Sequence, residues 1–192
     1  MQHTSLEAFY KEASIFTGRE IETLLPPRIN KEIGHFNVFD ISETIRTVKE
    51  KNQMPYNRRA YYKISLIRGK NRAEYADKVI EVSSNALLFA TPNVPYHWVP
   101  LDENQKGSFC VFTDAFLTTS KSDIDLNKLP IFQPGSFPIF EISDEQAEAI
   151  TPIFNKMKTE IDSDYEFKYD LLRTYLLELI HHGQKLSPAH QI

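Results

Sequence analysis

The sequence predicts a mainly β domain that ends in α-helices, and three observations carry that expectation. From about Lys31 to Pro138, short alternating or apolar runs recur with turn residues between them, the pattern of a sandwich or small barrel. From Ala147 onward, apolar residues fall at helical spacing behind a capping signal at Ser143. The chain has 192 residues, 41% hydrophobic and 12% aromatic, enough to bury one proper core.

Charged residues make up 25% of the chain and the net charge is −4, which argues against disorder and against a polyanion-binding surface. The single cysteine, Cys110, rules out an internal disulfide framework and a cysteine-based zinc site. It lies in the apolar run Phe109-Cys110-Val111-Phe112 and reads as a small buried hydrophobe. The first residues lack the apolar stretch of a secretory signal, and no run reaches membrane-spanning length. A soluble, reduced, cytoplasmic protein is expected. Basic residues dominate between Arg46 and Lys78 and acidic ones between Glu141 and Glu166; both runs read first as solvated faces. Arg58 and Arg59, just ahead of a strand, could instead point at an anionic or polyhydroxy ligand.

Residues 1–30 form a lead-in. Thr4-x-x-Glu7 fits a capping box, and Leu6, Phe9, Tyr10 and Ala13 share one side of a short helix. Gly18 and Leu24-Leu25-Pro26-Pro27 end it and bring in an extended arm. Residues 31–140 hold the strands. In the first, Phe36, Val38 and Asp40 alternate with His35, Asn37, Phe39 and Ile41; in the next, Tyr62, Ile64 and Leu66 oppose Tyr61, Lys63, Ser65 and Ile67. Arg72–Tyr75, Val79–Val82, Ala86–Phe89 and Ser108–Phe112 follow at short intervals. Mixed polar and apolar inward faces suit a barrel that holds a ligand better than a dry core.

Residues 141–183 are read as helical. Ser143-x-x-Gln146 caps a first helix carrying Ala147, Ile150, Phe154, Met157 and Ile161, which Pro152 should kink or delay. Ser163-x-x-Glu166 opens a second, with Tyr165, Tyr169, Leu172, Leu176 and Leu179 in a heptad-like stripe that Gly183 stops. The wide apolar stripe could cover the barrel or pair in part with a second subunit. Residues 184–192 look like linker.

The segment from Asn85 to Trp98 is the most informative. A short apolar strand runs into a turn marked by Pro92 and Pro95, then into Tyr96-His97-Trp98. Placed at the rim or lining of a small barrel, the indole and imidazole would offer stacking area and hydrogen bonds to a sugar-sized ligand. The alternative is that Trp98 fills core and His97 is solvated. No catalytic constellation accompanies them. The six histidines show no His-x-His, and the chain lacks a Gly-x-Ser-x-Gly elbow and a Gly-rich phosphate loop. Neither catalysis nor a metal or other cofactor is expected. A small cupin-like enzyme acting on a sugar or carbonyl substrate is the alternative.

Strands leading into Asn85–Trp98, followed by two helices, resemble the N-terminal half of AraC-type transcription regulators. Glu32–Phe39, Tyr62–Gly69, Phe132-Gln-Pro-Gly135, Asp144–Ala147 and Lys168–Arg173 are similar to the same group. The resemblance implies a cupin-like β-barrel of jelly-roll type, followed by two helices, which binds a small-molecule effector and dimerises. It implies that Trp98 helps line the effector site and that Phe109 and Val111 face the same cavity, with His97, Tyr75 and Arg59 as further candidates. The final helix would make a homodimer through Leu172, Tyr175, Leu176 and Leu179. DNA would be reached only through a helix-turn-helix part C-terminal to Ile192, and no membrane is involved. The wider cupin metal motif is unmatched, since His97 alone lies near one of its positions.

Overall fold

The computed structural model describes residues 3–17, 19–25, 34–42, 58–75, 78–92, 94–118, 125–133 and 139–187. It begins with β1 (His3–Thr4), α1 (Leu6–Thr17) and α2 (Ile21–Leu24). Strands β2 (Phe36–Asp40), β3 (Arg58–Arg59), β4 (Tyr62–Arg68), β5 (Asn71–Tyr75), β6 (Lys78–Val82), β7 (Asn85–Ala90), β8 (Tyr96–Pro100) and β9 (Lys106–Phe112) follow. Then come α3 (Asp114–Thr118), two 3₁₀ turns (Leu126–Lys128 and Pro130–Phe132), β10 (Ile139–Glu141), α4 (Asp144–Ile161) and α5 (Lys168–Leu186).

Two antiparallel sheets carry the β part, in the orders β10-β7-β4-β9-β2 and β6-β5-β8; β1 and β3 pair separately, in parallel. The expected class, mainly β with helices at the C-terminal end, is what the structure has. Alternation along β4 separates two cores. Tyr62, Ile64 and Leu66 join Leu87, Phe89, Cys110 and Phe112 on the face covered by α4 and α5. Tyr61 and Ile67 join Ala86, Leu88, Phe109 and Val111 between the sheets, with Ala73 and Val82 from the smaller one. Both faces of the central strands are buried, so each residue's side is set by the pleat alone. Gly107 (φ 122°) lies opposite Ile67, where any Cβ would overlap the carbonyl of Leu66. Cys110 is fully buried and its thiol is pushed up to about 12 by desolvation, leaving it unreactive.

The helices follow the sequence expectation in part. Ser143 accepts from the Gln146 backbone at 3.1 Å while the Gln146 side chain accepts from the Ser143 backbone at 2.9 Å, a complete capping box. Helix α4 continues through Pro152. Four expectations need correction. The α1 cap is Ser5, whose hydroxyl accepts from Ala8 N at 3.1 Å, because the Thr4 backbone is committed to β1. Helix α5 starts at Lys168 rather than at a Ser163 box: the Ser163 hydroxyl donates back to Glu160, and Lys168 Nζ donates to the carbonyls of Ile161 (3.1 Å) and Ser163 (2.7 Å). Gly183 does not end α5, which runs on to Leu186. It lies where the Phe89 ring meets the helix backbone and leaves no room for a Cβ.

The fourth correction concerns the proposed dimer face. Leu172, Leu176 and Leu179 are each 0% exposed within the single chain, packed in the helix-side core. They are the residues that hold α5 to the rest of the chain, so they offer no surface to a second subunit. Tyr175 is half-buried against the same core with the Lys156 ammonium 4.6 Å from its ring centre. Among the described residues no helix is long and apolar enough to cross a membrane.

Candidate ligand-binding site

The register of the larger sheet arranges its inward side chains in layers. Lys63 lies opposite Ala90 and Val111, and Val111 opposite Asn37; the next layer is Leu88, Ser65, Phe109 and Phe39. The smaller sheet faces them with Ile80, Ala73 and Trp98 in one row. Most of this lining is apolar. Two polar side chains stand in its middle on β4. The Lys63 ammonium lies 4.2 Å from the centre of the Phe109 ring, a cation–π contact. Ser65 is 1% exposed, and its hydroxyl has no hydrogen-bond partner among the described residues.

The two ends of the inter-sheet space differ. At one, the turns after β4 and β8 are tied together: Gln105 Nε2 donates to the Lys70 carbonyl (3.0 Å) and to Asp102 Oδ1 (2.9 Å), while Asp102 Oδ2 accepts from Lys70 N (2.8 Å). Trp98 is anchored near this end, its indole N–H donating to Asn71 Oδ1 at 2.8 Å. The other end is covered by α1. Phe9 makes edge contacts with Phe39, Tyr61 and Phe109, at ring-centre distances of 5.5, 5.3 and 6.3 Å. Next to it, the Tyr10 hydroxyl meets His35 Nε2 at 2.8 Å and accepts from Asn37 Nδ2 at 3.0 Å; Asn37 also donates to the Leu24 carbonyl at 2.7 Å. Burial pushes the His35 imidazole down to about 4, so it is neutral at pH 7 and shares a hydrogen bond with the Tyr10 hydroxyl.

The structure brings together three of the residues singled out from sequence: Trp98, Phe109 and Val111 all face the inter-sheet space. It separates His97 from them. On β8 the pleat turns His97 to the outer face of the smaller sheet, where its Nδ1 lies 3.3 Å from Glu74 Oε2. The backbone of Tyr75 pairs with Tyr96, and that of Arg59 with Thr4; the side chains of Tyr75 and Arg59 lie outside the described residues. Lys63, Ser65 and Phe9 were not singled out as site residues. The signal for Lys63 and Ser65 was present: two polar residues at alternate positions of a strand whose other positions are apolar on both sides. Among the described residues, no three His, Cys, Asp or Glu side chains are grouped to hold a metal ion.

No family model matches the chain, and no curated protein matches its sequence. Solved structures of similar shape were found. ToxT from Vibrio cholerae, an AraC-family regulator, matches at 10% identity and a TM-score of 0.43, over 80% of this chain and 57% of that one. ToxT of strain SCE256 with an unsaturated fatty acid bound matches at 14% identity and 0.41, over 83% and 56%. Oxalate decarboxylase from Bacillus subtilis matches at 16% identity and 0.26, over 60% and 39%. At these identities the likeness is one of fold, and the chain spans a little over half the length of the ToxT chains.

Proposed function

We propose that this chain is the effector-sensing part of an AraC-type transcription regulator and that it takes a small molecule between its two sheets. The observation that carries the reading is the placement of Lys63 and Ser65 in the middle of an otherwise apolar inter-sheet lining. The half-buried Lys63 ammonium and the buried Ser65 hydroxyl give this apolar lining a polar point at which a ligand can be held. A carboxylate beside Lys63 forms a charge-assisted hydrogen bond, and the aromatic and aliphatic walls, Trp98, Phe109 and Val111 among them, cover an apolar body. A sugar would need several polar groups around it, and this lining supplies few. The ligand class supported best is therefore an amphipathic carboxylate.

The ligand acts by binding one arrangement of the chain more tightly than another, shifting their balance. In this reading the protein is cytoplasmic and works as a homodimer, through surfaces other than the buried leucines of α5. It reaches DNA through an attached helix-turn-helix part. A thermal-shift comparison of medium-chain carboxylates with sugars is the test. Saturation at a hundred times Kd stabilises the native state by about 2.7 kcal/mol, a rise of about 5–10 °C for a domain of this size. Carboxylates should produce that rise in the wild type and not in Lys63→Met. A shift with sugars and none with carboxylates, or carboxylate shifts unchanged in Lys63→Met, would refute the reading.

A further inference from the structure

We infer that Ser65 is a specificity-determining residue, and that the preferred ligand carries a second oxygen, a hydroxyl or keto group, next to its anionic end. The inference rests on the inter-sheet ligand reading above and goes one group further. Three observations lead to it. The Ser65 hydroxyl is 1% exposed and has no hydrogen-bond partner among the described residues. A buried hydroxyl in that state costs more than a methyl in its place, so a strand under selection for stability alone would carry alanine or valine at this position. Its neighbours in the register, Leu88 and Phe109, are wholly apolar and offer it nothing.

The third observation fixes where the partner must be. Ser65 and Lys63 share a face of β4 two residues apart, roughly 7 Å along the strand. The Lys63 side chain covers that offset: its ammonium lies over the ring of Phe109, and Phe109 is the residue directly opposite Ser65. The positive charge and the hydroxyl therefore serve one layer of the site. A carboxylate held there by the ammonium leaves the hydroxyl facing the first carbons beyond it. A plain alkyl chain would leave Ser65 as unsatisfied as before. A 2- or 3-hydroxy acid, or the matching keto acid, brings an oxygen to it.

The experiment compares decanoate with 2-hydroxydecanoate and 3-hydroxydecanoate by calorimetric titration, on wild type and Ser65→Ala. One of the hydroxy acids is expected to bind the wild type roughly five- to tenfold more tightly than decanoate, the worth of one added hydrogen bond. In Ser65→Ala that preference should vanish while decanoate affinity stays the same. Unliganded Ser65→Ala should melt no lower than wild type, because the hydroxyl it removes was bonded to nothing. Equal affinity of wild type for plain and hydroxylated acids overturns this inference alone. A lower melting temperature of unliganded Ser65→Ala also overturns it, since the hydroxyl would then have a partner in the folded chain. Failure of all three acids to bind overturns the ligand-class reading and this inference together.

Discussion

The two faces of the five-stranded sheet are built from the same strands and treat polar groups differently. On the helix side, most polar side chains stay at the margins and are paired, and the buried Arg173 of α5 donates to the Phe116 carbonyl at 2.6 Å. Asn85 donates to Asp144 at 2.7 Å at the start of α4, and Lys158 meets Asp40 at 3.0 Å near its end. Between them the packing is apolar from Phe36 to Ile180. On the inter-sheet side, Lys63 and Ser65 stand in the centre, and Asn37 and His35 are spent on holding α1 and α2. One face is organised to hold helices in place, and the proposed function assigns the other to a ligand.

The sharpest way to break that contrast is to put a charge into the helix-side core. Leu176→Asp should cost more than about 4 kcal/mol, so that circular dichroism finds no folded population at 25 °C; a folded monomer would mean that Leu176 lies at a subunit interface after all. His35 gives the next largest effect, on the opposite face. Its folded value of about 4 lies below the ordinary 6.5, so the unfolded chain takes up the proton first as the pH falls. The stability it contributes is present above pH 6.5 and is lost as the pH drops toward 4, a change of roughly 3 kcal/mol. Melting curves between pH 7.5 and 4 should show this slope in wild type and a flatter one in His35→Gln.

Gly183→Ala tests how tightly α5 is seated. The added methyl overlaps the Phe89 ring and should cost about 1–3 kcal/mol in urea titrations. Phe89→Leu should be less damaging in the Gly183→Ala background than in wild type, giving a favourable coupling in a double-mutant cycle. Smallest is the margin of the helix side: Ser143→Ala removes one arm of the capping box, for a loss of about 1 kcal/mol. A loss as large as that of Gly183→Ala would mean that α4 is held by its end rather than by its buried face.

Much of this was legible in the residues. Period-two alternation assigned the side chains from Tyr61 to Ile67 to their correct faces, and Ser143-x-x-Gln146 located the start of α4. The identical signal at Ser163 failed because Lys168 closes the end of α4 on the carbonyls that a new helix would have followed directly. β10 has three residues, too few for any periodicity to register. The leucines of α5 were ambiguous for a different reason: the width of an apolar face does not say whether the cover comes from the same chain. At the site, Trp98, Phe109 and Val111 follow from alternation once the strands are known, and His97 departs for the same cause. Phe9 could not be placed from sequence, because its contacts join an N-terminal helix to strands far along the chain.

Gly107 has a bearing on all of this. With a buried apolar row on either side, β4 and β9 could zip together one position out of step and still hide nearly the same amount of hydrocarbon. That slipped frame would carry Lys63 and Ser65 beneath the helices and strip the inter-sheet space of its charge. It is blocked because the tight approach to Leu66 tolerates only a residue without a side chain, and β9 has just one glycine to bring there. A position on the neighbouring strand thus decides which way Lys63 and Ser65 look.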